Sequence, residues 1–306
     1  MTQPDATQLH DFIVDYFSLD ELKTLCFKLG VEFDDLGGDG RVGKARELVL
    51  LMKRQTRLSR LDGLLLRARP EAYGRFFGRR IHEKTGIELI RIPAGSFIYG
   101  EGNDQKRVTL LEYWIGRAPV TNAQYKRFLD ANPGHSVPFI YNTLFEPHNW
   151  DERSRTYPAN KAEHPVVLIS WDDAKAFCDW AGLALPSEEQ WEKAARGTNG
   201  RTWPWGDEPP TARHCNFGHT IGDTTPVGKY APQGSSPYGC VDMAGNVWDW
   251  TASWSRKGEE LTLRGGSWGT SSVGVRAARR EKSSGPHALG NHLGFRVVEP
   301  FFDLAS

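Results

Sequence analysis

Four cysteines, nine histidines and a glycine-rich loop ending in lysine are the features whose residue types could do chemistry in this chain. A thiolate can attack carbon, carry redox equivalents or hold a soft metal, but each task needs a partner group nearby. Cys26, Cys178, Cys215 and Cys240 are widely spaced, and no Cys-x-x-Cys pair occurs. Read by themselves they are small buried apolar residues. Gly38-Asp39-Gly40-Arg41-Val42-Gly43-Lys44 matches the GxxxxGK of a phosphate-cradling loop. The next residue, however, is Ala45, where magnesium requires a hydroxyl, and the preceding VEFDDL is too short and acidic for a buried strand. Its glycines are expected to end a helix and make a turn. His287 and His292 flank a small-residue loop with Glu281 as the one convenient carboxylate, short of a zinc shell, so both are expected as exposed histidines.

The elements that must position these residues fall into two groups. Residues 1–80 read as a helical bundle. Ser18-Leu19-Asp20-Glu21 is a capping box, and Leu19, Leu22, Cys26 and Leu29 follow at helical spacing. KARELVLLMKR is a second helix, and SRLDGLLLRARP a third that stops at Pro70. Residues 81–86 read as a linker, within RRIHEKTG at 79–86, whose two adjacent arginines are too small a patch for nucleic acid. From Ile87 the texture is of short strands, IELIRIPAGSFIYG and KRVTLLEYWIGRAPV, broken by Gly, Pro and Asn turns. Helices are expected after Thr121, after Ser170 and after the capping box Ser187-x-x-Gln190. All eleven tryptophans lie between Trp114 and Trp268, where they suit the task of holding long irregular segments.

Composition excludes several classes. With 38 basic and 38 acidic residues there is no net charge to attract nucleic acid or an acidic membrane, and neither is expected as a partner. MTQPDATQLHDF lacks a basic and an apolar targeting region, and no 18-residue apolar run occurs. A cytoplasmic protein is expected.

PVVLISWDDAKAFCDWAGLALPSEEQWEKAARG (165–197), WPWGDEPP (203–210), YGCVDMAGNVWDWTASW (238–254), LRGGSW (263–268) and LGFRVV (293–298) follow one another in order. Together they resemble the formylglycine-generating-enzyme, or sulfatase-modifying-factor, domain over residues 87–306. The resemblance implies an α+β, C-type-lectin-like fold. SLDELKTLCFKLG and GKARELV in the bundle resemble the death-like effector-associated domains of bacterial signalling proteins. The oxidase chemistry of the family needs two cysteines just after the GGS[WY] motif, whose thiolates bind copper and activate oxygen. Residues 269–279 contain no cysteine, so no copper and no enzyme activity are expected. The iron-dependent sulfoxide synthases of the same fold need a histidine triad in the bundle, where only His10 stands, with His82 just beyond and no HxxxH spacing.

A further branch of the fold matches better: the variable proteins of diversity-generating retroelements, which display a C-terminal surface rewritten by adenine-directed mutagenesis. Arg264-Gly265-Gly266-Ser267-Trp268 and Gly294-Phe295-Arg296 match the fixed frame of such proteins, with Arg276 and Ala278 between. The resemblance then places a ligand-binding surface at Trp268 and at the slots Gly269, Thr270, Ser271, Val273, Gly274, Arg279, Glu281, Ser283, Ser284, Ala288, Leu289, Gly290, Asn291 and His292. Random replacement of both adenines in an AAY codon never yields Lys, Glu, Gln, Met or Trp, and among these slots only Glu281 falls outside what it can yield. Exposed positions of this kind change stability by roughly 0.5 kcal/mol or less, so a frame anchored by Trp268, Val275, Leu293 and Phe295 could accept them. The partner would be a protein or other macromolecular ligand at this surface, with an effector protein engaged through the N-terminal bundle. The alternatives are a divergent formylglycine-generating oxidase and an inactive paralogue with a fixed ligand.

The resemblance also implies structural calcium. The Gly245 and Val247 carbonyls, Asn246 and Asp249 resemble one family site, and Asn216, the Phe217 carbonyl and Asp223 resemble a second; oxygen-only ligation suits calcium. Asp249 stands where a longer Glu is usual, and hydrogen bonding to local backbone is its other reading.

Overall fold

The computed structural model describes residues 4–256, 259–283 and 285–299, which form two compact units dividing between Ile81 and His82.

The first unit is helical. Helix α1 (Ala6–Tyr16) is opened by a capping box of Asp5 with Gln8, and α2 (Leu19–Leu29) by the expected Ser18–Glu21 box. Gly30, at φ 69°, ends α2 in the left-handed conformation that favours glycine. Helices α3 (Gly40–Arg54), α4 (Leu58–Ala68) and α5 (Pro70–Phe77) follow. Helix α4 stops before Pro70 as expected, and Pro70 then opens the unexpected α5, where a first turn has no use for the missing N–H. Leu9, Phe12, Ile13, Leu22, Leu48, Leu61, Leu65 and Tyr73 form the core. Strand β1 (Arg79–Ile81) occupies part of the expected linker, and Arg79 pairs with the buried carboxylate of Asp62 at 2.8 Å. The GxxxxGK segment enters α3, so Gly40 and Gly43 lie in the first turn of a helix and do not end one, contrary to the expectation. Lys44 donates to the Phe33 and Leu36 carbonyls, which leaves its ammonium committed to the fold.

The second unit is the C-type-lectin-like domain. Strand β5 (Tyr113–Gly116) lies between β2 (Glu88–Ile92) and β10 (Val298–Glu299), antiparallel to both, so the two ends of the domain meet in one sheet. Strands β3 (Gly95–Tyr99) and β4 (Lys106–Leu110) form a two-stranded ladder. The third sheet carries the site and runs β8-β7-β6-β9, from β6 (Trp248–Arg256), β7 (Glu260–Arg264), β8 (Arg280–Lys282) and β9 (Leu293–Phe295). Strand β9 runs parallel to β6 with Trp248 opposite Leu293, so β9 begins at the end of the sheet where β7 finishes.

Helices α6 (Asn122–Ala131), α7 (Trp171–Ala181) and α8 (Glu188–Arg196) are capped by Thr121, Ser170 and Ser187 through capping boxes. Tyr125, Phe128, Trp150, Phe177, Trp250 and Phe295 build the main core. The three fully buried indoles find partners for their N–H groups: Trp150 donates to Asn122 Oδ1, Trp250 to the Ile169 carbonyl and Trp191 to Asp249 Oδ2. These bonds tie the long segments between α6, α7 and β6 to the regular elements. Glu192, fully buried, accepts from Arg196 (2.8 Å), Arg264 (2.5 Å) and the Gly100 N–H (2.7 Å), fastening α8 to β7.

Candidate functional site

The segment after β7 is held by its backbone. The Trp268 N–H donates to the Asn246 carbonyl, and the Trp268 and Thr270 carbonyls accept from His219 and Gly218 at 2.8 and 2.9 Å. Downstream, the Ala277 N–H bonds the Thr202 carbonyl, and Val275 is buried with Cys215 and Ala244. The segment before β9 is held in the same way, with the Gly290 and His292 carbonyls accepting from Leu168 and Trp248. These bonds come from the main chain and do not depend on the side chains the segment carries.

Two of the expected stretches come together. The Trp268 indole N–H donates to the Asn291 carbonyl at 3.1 Å, joining 268–270 to 290–292. His219 meets the Trp268 ring edge-on at 5.2 Å and lies beside Gly269. Ser271 and Val273 are exposed, and Gly269, Thr270, Gly274, Asn291 and His292 are half-buried around them. Burial pulls the His292 imidazole below its usual range, which keeps it neutral at pH 7.

Other expected positions lie elsewhere. Arg279 and Glu281 pair with each other at 3.1 Å beside and on β8, the edge opposite β9. Ser283 is buried, its hydroxyl donating to the Gly285 carbonyl, because residue 283 continues the β7 pairing inward. Gly290 is buried by its bond to Leu168, and Ala288 packs against the main core. Leu289 is exposed, and Ser284 lies outside the described residues. His287 is exposed and pairs with Asp172 at the start of α7, while His292 is half-buried, against the expectation that both would be exposed. Sequence reasoning missed His219 and the loop at 139–145. There Ile140 and Phe145 pack on Val167, Leu168 and Val247 while Tyr141 and Leu144 are exposed. The apolar run FIYNTLF, with no strand to pair, was its one signal.

The four cysteines are buried and unpaired; none lies within 269–279, although Cys215 packs with Val275 and Cys240 shares a core cluster with Ala277. Burial pushes the Cys26 thiol up to about 11 and Cys215 up to about 12, and raises Cys178 and Cys240 above the usual range. A thiol in that state supplies no thiolate nucleophile at neutral pH.

Several groups read as calcium ligands have partners within the chain, while Asn216 Oδ1 and Asp249 Oδ1 are buried without one among the described residues. Asp249 Oδ2 accepts from Arg296 Nε (2.6 Å) and Trp191 Nε1 (2.7 Å). The same guanidinium spends its other N–H groups on the carbonyls of Gly116, Arg117, Val241 and Asp242. One carboxylate and four carbonyls is a donor set that would suit calcium, and here it surrounds an arginine. The Asn246 amide is closed on the Thr225 backbone in both directions, Gly245 is pressed against the Asn216 carbonyl, and Val247 is buried in an apolar cluster. Asp223 accepts from His148 Nε2 at 3.0 Å and from Lys161 Nζ. Among the described residues no group of three or more His, Cys, Asp or Glu could hold a metal ion, and no helix is long and apolar enough to cross a membrane.

Comparison with known proteins agrees with this architecture. Residues 78–300 match the sulfatase-modifying factor enzyme 1-like domain, and residues 9–70 match effector-associated domain 7. The inactive C-alpha-formylglycine-generating enzyme 2 of Mus musculus is 30% identical over 264 residues, covering 69% of this chain and 85% of its own. The formylglycine-generating enzyme of Thermomonospora curvata is 44% identical over 228 residues, covering 58% of this chain and 74% of its own. Among solved structures, PvdO of Pseudomonas aeruginosa superposes with a TM-score of 0.62 at 24% identity, covering 72% of this chain and 97% of that one. Variable protein 1 of Treponema denticola superposes at 0.53 and 23% identity, covering 69% and 94%. Relatives named inactive and relatives named as enzymes thus share one fold. The chain belongs to the sulfatase-modifying factor enzyme 1-like domain family, with an effector-associated domain 7 before it.

Proposed function

We propose that this protein is a non-enzymatic ligand-binding protein whose surface at 268–274 and 289–292 takes a protein or other macromolecular ligand. Its N-terminal bundle passes that event to an effector. The surface is of the kind that a diversity-generating retroelement rewrites. The observation that carries the reading is that 269–279 holds no cysteine and that 269–274 carries small exposed or half-buried side chains on a backbone-fastened loop, while all four cysteines are buried. An oxidase of this family has no copper ligand and no nucleophile in such a segment. Trp268 and His219 give the surface aromatic anchors of the type that carry interface energy. The shared fold of the Treponema variable protein and the kinship with a relative named inactive support the same reading.

The test is a library randomised at 269–271, 273, 274, 289, 291 and 292, displayed on the full chain and selected against immobilised proteins. The proposal expects most members to fold and a few to acquire specific binding. Collapse of most members would sink it, and so would oxygen uptake by the purified protein with a cysteine-containing peptide and copper.

A further inference from the structure

Loop 216–225 backs the proposed surface, since Gly218 and His219 donate to the carbonyls of Thr270 and Trp268. What fastens the loop is Asp223. One carboxylate oxygen accepts from His148 Nε2 at 3.0 Å and from the Thr224 N–H at 2.6 Å, and the other takes the Lys161 ammonium. The Asp223 carbonyl accepts from Asn216 Nδ2 at 2.8 Å. His148 and Lys161 are largely buried, with side chains 8% and 16% exposed. Calcium takes six to eight oxygen ligands at about 2.3–2.6 Å, and an ammonium already seated on the same carboxylate repels it. Of the expected ligand atoms, the Asn216 Oδ1 is buried without a partner among the described residues.

We infer that Lys161 is a built-in counter-ion which, with His148, takes the place of calcium at Asp223, so that loop 216–225 is fastened without a metal ion. The loop's geometry is then independent of calcium supply. This inference concerns stability and stands whether or not the surface binds a ligand.

The experiment is thermal unfolding of the full chain with excess EGTA and with millimolar calcium chloride, beside Lys161→Met and the double variant Lys161→Met/Asp223→Asn. The wild type should unfold within about 1 °C of the same temperature in both buffers, because a ligand that binds neither state shifts nothing. Lys161→Met should lose about 5 °C or more by leaving a half-buried carboxylate short of a cation, and the double variant should recover much of that loss. A wild-type midpoint that falls in EGTA or climbs by several degrees in calcium overturns the inference. So does a Lys161→Met midpoint equal to wild type. Where the single variant does not accumulate folded, the double variant decides: a folded double supports the clamp, and an unfolded one overturns it.

Discussion

Replacing Arg296 by Met should be among the most damaging single changes in the domain. The side chain is fully buried, and its N–H groups are taken by Asp249 and four backbone carbonyls. Removing one partner of a buried ion pair costs about 3–5 kcal/mol, because the other charge stays behind in a poor solvent. Burial already pulls the Asp249 carboxyl above its usual range against the attraction of Arg296, so without the arginine only the Trp191 N–H would oppose that pull. The four carbonyls lose their donor as well, and even with water entering the space left by the guanidinium the total reaches about 5 kcal/mol. At about 2–4 °C per kcal/mol for a domain of this size, the unfolding midpoint should fall by about 10–20 °C in calorimetry. Asp249→Asn in the same chain removes the stranded charge and should recover about half the loss. A midpoint within about 3 °C of wild type, or no recovery in the double variant, would refute the reasoning.

Other outcomes follow from the same geometry. Ellman's reagent should label none of the four thiols promptly in native protein and all of them after unfolding, given their burial and raised values; rapid labelling at neutral pH would contradict it. Burial pushes the Asp242 carboxyl up to about 6, so the folded chain holds that proton more tightly than the unfolded one. That contribution is complete below about pH 4 and is lost as pH rises through about 6. Asp242→Asn should flatten this part of the stability profile, and an unchanged slope would reject the assignment. Ser271→Tyr and Val273→Asn should each shift the midpoint by less than about 2 °C, whereas Val275→Asp, at a fully buried position, should prevent folding. A Cβ at Gly274 would stand 2.3 Å from the Thr270 methyl, so Gly274→Asn should cost more beside Thr270 than beside Thr270→Gly. Urea titration of that cycle should give a coupling of about 0.5–3 kcal/mol, and strict additivity would contradict it.

Helix starts were the most legible part of the fold, because Ser18, Ser170 and Ser187 each announce a capping box within four residues. Helix α1 is equally marked by Asp5 and Gln8, whose spacing is that of a capping box. Helix α5 is harder to read, because a proline that follows one helix can also occupy the first turn of the next. Strands β8, β9 and β10, two or three residues each, are too short to show a period of two, and only the sheet defines them. The surface was half legible. Motif order named 268–274 and 289–292 among the expected positions, and the structure brings these two stretches together, but no local signal tells that Ser283 turns inward or that Glu281 lies on the far edge of the sheet. The clamps were least legible. Lys161 and Asp223 are 62 residues apart, and nothing in either neighbourhood predicts that an ammonium would meet the carboxylate read as a calcium ligand. Arg296 was visible as part of a fixed frame, but its partners at Gly116 and Val241 come from elements that only folding brings near.

The central claim is tested most directly by deep sequencing of the 3′ end of this gene across a natural population. The account predicts substitutions concentrated in the codons for 269–274 and 289–292, falling on template adenines and sparing the anchors Trp268, Val275, Ala277, Leu293 and Phe295. Codons for 269–292 as invariant as those for 165–197 would contradict it.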